Sequence, residues 1–162
     1  MLQTGIYRVN GHSGRVRKLV RSLEFDPTLV DISESNPNDL SNVIKEYLRS
    51  LPDPLFMSAL YRHFINTSKL YHGLKEEERN ERKDEIVFSL KSVVNMLHPQ
   101  HTLTLSFLMH HLKFISDNQE LNQMSSKNLG QYFSIPLYYD YTTPQVYYTM
   151  TILSYVKRLL YI

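Results

Sequence analysis

At 162 residues, with 42% apolar and 21% charged side chains, the chain has the size and composition of one globular domain with a buried core. A net charge of +2 gives no support to nucleic-acid binding, which usually needs a strongly basic surface, and the lack of cysteine excludes a disulfide or a thiolate zinc site. No apolar run approaches the roughly 18 residues of a membrane span, and no signal-peptide pattern opens the sequence, so we expect a cytoplasmic protein without a membrane segment.

Apolar residues recur at three- and four-residue steps along nearly the whole chain, which is the spacing of helices. A first helix is predicted to have Ser13 as its N-cap and an inward stripe of Val16, Leu19, Val20 and Leu23. After a connector over residues 24–35, a second helix is predicted to begin at Asn36 or Pro37 and to stop before Pro52. The inward stripe of this second helix comprises Leu40, Val43, Ile44, Tyr47, Leu48 and Leu51.

The second half of the chain continues the helical pattern. Helices are predicted over residues 58–70, from about 86 to 97, and over 100–116, 125–133 and 145–161. The charge-dense stretch 75–84 is predicted to be a solvated entry to the helix that follows it. No alternating pattern long enough for a sheet is present. The predicted fold is therefore all-α, an irregular bundle of about seven helices forming a single domain over residues 1–162.

A glycine-flanked loop precedes the first helix and carries one arginine. Its sequence over residues 5–11 is GIYRVNG, which places Arg8 between the two glycines. Arginine is always charged and presents a rigid fork of donors that suits phosphate oxygens. On such a loop it can reach another protein's active site, as an arginine finger does when a GTPase is activated in trans. Taken alone, this short pattern is more often an ordinary solvated loop arginine.

Two further segments extend the pattern into a resemblance. Residues 44–55 read IKEYLRSLPDPL, and residues 122–129 read NQMSSKNL. Together with the loop, in this order and at roughly these spacings, they resemble the Rho-family GTPase-activating domain, RhoGAP. The resemblance extends over essentially the whole chain, and it implies the helical fold of that family.

The resemblance implies a role for four residues. Arg8 is expected to be the finger that enters the GTPase, Lys45 an interface lysine beside it, and Arg49 a support of the loop and the GTPase-facing surface. Asn128 is expected to form a hydrogen bond at the same interface. The implied partner is a GTP-bound Rho-type small GTPase. That partner itself holds GTP, Mg²⁺ and the water-orienting glutamine, so no cofactor of this chain is expected.

Helix geometry agrees with this interpretation for the second helix. Lys45 and Arg49 lie four residues apart, so they are predicted to form one exposed cationic ridge that suits an acidic GTPase surface. Without the resemblance, the pair is an ordinary polar helix face, and Asn128 is a helix-interior or capping residue.

The chain departs from the family pattern in three places. Residues 133–137 read FSIPL where the family usually has F-G-P-x-L, so Ser134 replaces a glycine and the turn after that helix is expected to differ. Asn10 stands where the loop usually has serine, a mild change because asparagine tolerates left-handed backbone. Family domains normally have a helix before the loop. The sequence lacks that leading helix, so we expect either a fragment of a longer protein or a domain that tolerates its loss. If the helix is absent, an open apolar groove is expected to favour self-association or to lower stability.

Other functions receive less support from the sequence. The main alternative is a catalytically silent RhoGAP-like module that only binds proteins, and the next is a helical scaffold without a GTPase partner. The histidine pairs His98 with His101 and His110 with His111 lack carboxylates or cysteines at ligand spacing, so no metal site is predicted. A serine hydrolase would need a strand-to-helix nucleophile turn, which the sequence lacks.

Overall fold

A computed structural model describes residues 3–72 and 74–138, and within those ranges the regular structure is helical throughout. The eight α-helices there are α1 (Ser13–Phe25), α2 (Pro37–Ser50), α3 (Tyr61–His72), α4 (Glu76–Glu81), α5 (Lys83–Val94), α6 (Pro99–Asp117), α7 (Gln119–Asn122) and α8 (Ser126–Tyr138). Short 3-10 turns occupy Pro27–Leu29 and Ser58–Leu60. The all-α prediction is confirmed, while the helix predicted over 145–161 lies outside the described residues.

The core is built from the apolar stripes of the later helices. Helix α3 packs on α5, α8 packs between α2 and α6, and α1 covers α2. Two rings at the centre, Phe56 and Phe64, meet edge to face with their centroids 4.7 Å apart. The apolar residues at helical spacing in the helices predicted over 86–97 and 100–116 face the core. Leu108 is half-buried against it, and the others are buried, namely Ile86, Leu90, Val93, Val94, Leu97, Leu105, Leu112 and Ile115. This packing brings α2, α6, α7 and α8 around the loop that precedes α1.

Local signals predict the start of α2 well and the start of α1 less well. The Asn36 side chain accepts the Asn38 N–H at 2.9 Å, and Pro37 occupies the first turn, as predicted. Ser13 is wrong as the N-cap of α1, because it lies within the helix and His12 precedes it. No side chain caps α1, but the His12 N–H donates to the carboxylate of Asp39 at 2.7 Å, so a residue of α2 holds the start of α1.

Two predicted boundaries differ from the structure. The stretch 75–84 contains α4 rather than a loop entry, because three glutamates in its first turn favour the helix dipole. Helix α8 continues through Pro136 to Tyr138 instead of ending near Phe133. A proline inside a helix removes a hydrogen bond, but Phe133 and Leu137 are fully buried one turn apart and tie this segment to the core.

The predicted inward stripe of α2 is correct only in part. Leu48 is buried, but Ile44 and Tyr47 are 36% and 59% exposed. The residues that α2 does bury include the polar Asp39, Ser41 and Lys45. Ile44 instead lines a mainly apolar groove of about 320 Å³ between α2 and α6, opposite Phe114. The α2 face predicted as polar is therefore partly covered by the rest of the protein.

A membrane span needs a helix of about 18 or more mostly apolar residues, and this bears on the helices in the described part of the chain. None of them has both the length and the apolar character to cross a bilayer.

Candidate functional site

The loop before α1, residues 5–11, has an unusual backbone. Gly5 and Tyr7 both have positive φ, at +71° and +69°. A Cβ on Gly5 would lie 2.9 Å from Cγ2 of Val9, so the tight turn needs glycine there. The N–H groups of Arg8 and Val9 both donate to the carbonyl oxygen of Gly5, at 2.9 and 2.8 Å. Tyr7 is 1% exposed and Arg8 is exposed, so the loop buries one side chain and presents the next one to solvent.

Four helices hold this loop through contacts that are distant in sequence. At its start, the Gly5 N–H donates to the carbonyl oxygen of Asn122 on α7 at 2.8 Å. In its middle, the Tyr7 carbonyl accepts a 2.8 Å hydrogen bond from the Lys45 ammonium on α2. The Tyr7 hydroxyl lies 2.8 Å from Nε2 of His111 on α6, and its ring meets that of Phe133 on α8 edge to face. Arg8 is therefore exposed on a fixed backbone.

Lys45 does not form the predicted exposed ridge with Arg49. Lys45 is only 5% exposed, and Arg49 is exposed. The long aliphatic stem of lysine can be buried while its ammonium reaches a carbonyl that would otherwise lack a partner. Burial, followed by the neighbouring charge of Arg49, lowers the pKa of Lys45. The prediction of an exposed pair is therefore wrong for Lys45, which lies beneath the loop.

Asp39 fixes the far end of the loop. Its carboxylate accepts from the His12 N–H at 2.7 Å and from Nε of Arg15 at 2.5 Å. The hydrogen bond from the Arg15 guanidinium holds the pKa of Asp39 below its usual range. Gly11 packs so closely that a Cβ there would lie 2.4 Å from the Asp39 carboxylate and 2.7 Å from its Cα. Asp39 was not predicted from the sequence, although an acidic residue in the first turn of a helix that begins with Asn-Pro was a usable signal.

Arg8 and Asn128 meet the same short segment although they are 120 positions apart in the chain. Gln123 ends α7 in the left-handed conformation, with φ of 60°. Its side-chain Oε1 lies 3.5 Å from Nη2 of Arg8, at the long limit of a hydrogen bond. Its main-chain carbonyl accepts from Nδ2 of Asn128 at 3.1 Å. Gln123 therefore links these two predicted site residues and was itself not predicted.

Asn122 is a second residue that the sequence did not single out. It is fully buried, its Nδ2 donates to the Ile115 carbonyl at 2.7 Å, and its Oδ1 accepts the Met124 N–H at 2.7 Å. These two bonds fix the segment whose backbone carbonyl receives the Gly5 N–H. A buried asparagine with donor and acceptor both used is a rigid support for the start of the loop.

Arg49 lies on the other side of the loop, in a groove of about 550 Å³ between the loop, α1 and α2. Asn10 and Gly11 of the loop form one wall, and Arg17 and Asn42 contribute from the helices. Its exposed charged residues are Arg17, Arg49 and Glu46, so the groove keeps a net positive charge that suits an acidic protein surface. The loop thus borders both Arg49 on one side and the Gln123–Asn128 contact on the other.

The described residues do not assemble a metal site. Over 3–72 and 74–138, no group of three or more histidine, aspartate or glutamate side chains is placed to hold a metal ion. The chemically distinctive group is the exposed guanidinium of Arg8. A cation on a fixed loop can stabilise negative charge that a partner protein brings to it.

Comparison with known proteins gives a consistent result. Residues 1–140 match the RhoGAP domain family. Over 144 residues the chain is 38% identical to Rho GTPase-activating protein 45 of Xenopus laevis, covering 82% of this chain and 13% of that protein. It is 36% identical over 143 residues to human Rho GTPase-activating protein 29, covering 80% and 11%. The chain therefore spans about an eighth of the length of these relatives.

Two solved structures share the fold. The BH domain from Graf, the GTPase regulator associated with focal adhesion kinase, superimposes with a TM-score of 0.81 at 27% identity, covering 99% of this chain and 85% of that one. Human Rho GTPase activating protein 15 gives a TM-score of 0.82 at 24% identity, covering 97% and 75%. The second likeness bears on the fold alone.

Proposed function

The chain belongs to the RhoGAP domain family, and on that premise we propose that it accelerates GTP hydrolysis by a Rho-type small GTPase. In this proposal Arg8 is the arginine finger that enters the active site of the GTP-bound partner. The relatives named as Rho GTPase-activating proteins support the reaction and the class of partner. The observation that carries the proposal is the exposed Arg8 on a loop that four helices hold in place.

The chemistry needs little more than a well-placed cation. As the γ-phosphoryl group is transferred to water, negative charge develops on its oxygens and on the leaving group. A guanidinium positioned there, with water excluded by the interface, stabilises that charge without reorganising. Fingers supplied in trans are worth on the order of 10³–10⁵ in rate. The GTPase itself binds the nucleotide and Mg²⁺, so the domain provides position and charge.

The other site residues take distinct roles in this proposal. Lys45 donates a hydrogen bond to the Tyr7 carbonyl, which belongs to the peptide group that joins Tyr7 to Arg8. It therefore positions the finger from the buried side of the loop. Arg49 meets the GTPase surface from the groove beside the loop. Asn128, which hydrogen-bonds the Gln123 carbonyl, supports the segment that Arg8 contacts and borders the same interface.

Single-turnover GTP hydrolysis on a panel of Rho-type GTPases tests this proposal. We expect the wild-type domain to accelerate at least one GTPase, and Arg8→Ala to lose most of that acceleration, on the order of 10³-fold. Arg8→Lys keeps the charge but not the planar fork, and should recover only a small part. Arg21→Ala, an exposed arginine on α1, is the matched control and should match wild type.

Two outcomes would overturn the proposal. Undiminished acceleration by Arg8→Ala would show that Arg8 is not the finger. Tight binding of a GTP-loaded GTPase without any acceleration by the wild-type domain would instead identify a silent binding module of the same fold.

A further inference from the structure

We infer that His111 is a positioning residue for the finger loop, acting through the hydroxyl of Tyr7. This inference rests on the proposed function for its kinetic consequence, but its structural part concerns the free domain alone. His111 lies on α6, 104 positions from Tyr7 in the chain, and has no role in the site as the sequence predicts it.

His111 contacts the buried end of the Tyr7 side chain. Its Nε2 is 2.8 Å from the Tyr7 hydroxyl, and the two rings meet edge to face with centroids 5.8 Å apart. The outer edge of His111 reaches solvent in the groove between α2 and α6, while its inner edge faces the buried tyrosine. The Tyr7 ring is therefore contacted edge to face by both His111 and Phe133.

The Tyr7 hydroxyl needs this partner. Tyr7 is 1% exposed, and leaving a buried hydroxyl without a hydrogen bond is costly. Burial raises the pKa of Tyr7, so the hydroxyl stays protonated, and burial lowers the pKa of His111, which favours the neutral ring. A neutral imidazole nitrogen and a phenolic hydroxyl can pair in either tautomer.

The bond matters for Arg8 because Tyr7 carries a strained backbone. A non-glycine residue with φ of +69° is uncommon and persists only where its surroundings hold it. The buried ring holds Tyr7 in that conformation together with the hydrogen bond from Lys45 to its carbonyl, and the next side chain, Arg8, is exposed. Loosening the ring would let Tyr7 relax and would spread Arg8 over several orientations, only some of which reach the phosphates.

The neighbouring histidine is a natural control. His110 is adjacent on the same helix, exposed, and its Nδ1 lies 2.8 Å from the Ser106 carbonyl of α6 itself. Like His111, it is a histidine of α6, but its hydrogen bonds within the described residues involve Ser106 and not the loop. His110→Ala should therefore behave as wild type in each measurement below.

The kinetic constants distinguish a misplaced finger, which lowers kcat, from weaker binding of the GTPase, which raises KM. We expect His111→Ala to lower kcat for GTPase activation about tenfold, with KM for the GTPase changed by less than about twofold, since the interface is intact and only the finger is misplaced. His111→Gln can still reach the hydroxyl and should restore most of the rate. Tyr7→Phe removes the hydroxyl itself, so no buried hydroxyl is left without a hydrogen bond. The loss of kcat should therefore be smaller, about threefold.

Combining the variants tests whether the two groups act together. The double variant Tyr7→Phe with His111→Ala should lose clearly less than the two single losses combined, because no hydroxyl is left without a hydrogen-bond partner. If the loss of kcat in the double variant equalled the product of the two single losses, the inference would be contradicted. In an Arg8→Ala background, His111→Ala should cause no further loss of rate.

Amide hydrogen exchange tests the structural part without any GTPase. In the free wild-type domain, the amides of Arg8 and Val9 should be protected by their bonds to Gly5, and His111→Ala should speed their exchange about tenfold. Unchanged exchange and unchanged kcat in His111→Ala, or equal changes in His110→Ala, would overturn the inference, as would an effect on KM alone.

The two proposals can fail separately. If the wild-type domain accelerated no GTPase, the proposed function would fail, while exchange at Arg8 and Val9 would still show whether His111 fixes the loop. If His111→Ala did not fold, Tyr7→Phe retains the ring and provides the same exchange and kinetic comparison.

Discussion

The two connectors that flank α1 are built in opposite ways. The finger loop, residues 5–11, is held by side chains and carbonyls from α2, α6, α7 and α8. The connector after α1, residues 26–36, is held by short-range bonds, such as those from Thr28 to Asp26 and from Ser33 to Asp31. Its Leu29 is 76% exposed, whereas Tyr7 of the finger loop is 1% exposed.

This contrast shows what a loop needs if one of its side chains is to enter another protein's active site. Local Asx turns shape a connector but leave its position relative to the core loosely determined. Hydrogen bonds to α2, α6 and α7 and a ring contact with α8 fix the position of the finger loop as well as its shape. A residue that must reach another protein's phosphate within a fraction of an ångström needs the second kind of loop.

The largest stability effect is expected where the finger loop touches α2 most closely. Gly11→Ala would place a methyl group 2.4–2.8 Å from the Asp39 side chain and backbone, so something must shift. We expect a loss of about 2–3 kcal/mol in the free energy of unfolding, measured by urea denaturation. Gly14→Ala is the control, because its Cβ would meet only the flexible His12 side chain and alanine favours the helix. Equal effects of the two changes would contradict the close contact.

Lys45→Met should have the next largest effect. It keeps the buried aliphatic stem but removes the ammonium that the Tyr7 carbonyl accepts from. An orphaned buried carbonyl costs about 1–3 kcal/mol, and the acceleration of GTP hydrolysis should fall with it. Lys18→Met, on the exposed face of α1, should change stability by less than about 0.5 kcal/mol. If Lys45→Met kept full stability and activity, the lysine would not anchor the loop.

A smaller, pH-dependent effect is expected at Asp39. Its pKa is held below the usual 3.8 by Arg15, so the unfolded chain binds more protons than the folded one as pH falls through this region. The stabilisation is therefore present above about pH 4 and is lost as pH falls through the folded pKa. Asp39→Asn should lower the unfolding midpoint at pH 7 and leave it closer to wild type near pH 3. A constant difference at both pH values would argue against the charged interaction.

The contrast between local and long-range contacts also explains which features the sequence could predict. Periodicity is a local property, so the helices and the buried stripes of α5 and α6 were predictable, and a glycine-flanked arginine marked the loop. Lys45 was misread because its polar character suggested an exposed face, and only the loop packed above it explains its burial. His111 lies 104 positions from Tyr7, and Asp39 lies 27 positions from His12, which directly follows the loop; spacing does not reveal such pairs.

The end of α8 shows a different limit. Pro136 was a sound reason to expect a turn, yet the helix runs on to Tyr138 because buried neighbours on both sides of the proline outweigh one lost hydrogen bond. Local propensity was outweighed there by tertiary packing, which cannot be seen in a local pattern.

A pair of insertions tests the central claim that a fixed loop, and not merely an available arginine, makes the site. A Gly-Ser dipeptide is inserted after Val9 in one variant and after Ile32 in the other, and single-turnover GTP hydrolysis is measured with both. We expect the insertion after Ile32 to keep acceleration within about twofold of wild type, since lengthening a loosely held loop costs little. The insertion after Val9 should reduce acceleration to the level of Arg8→Ala, although Arg8 is still present. Equal acceleration by the two variants, with both folded by circular dichroism, would contradict the account.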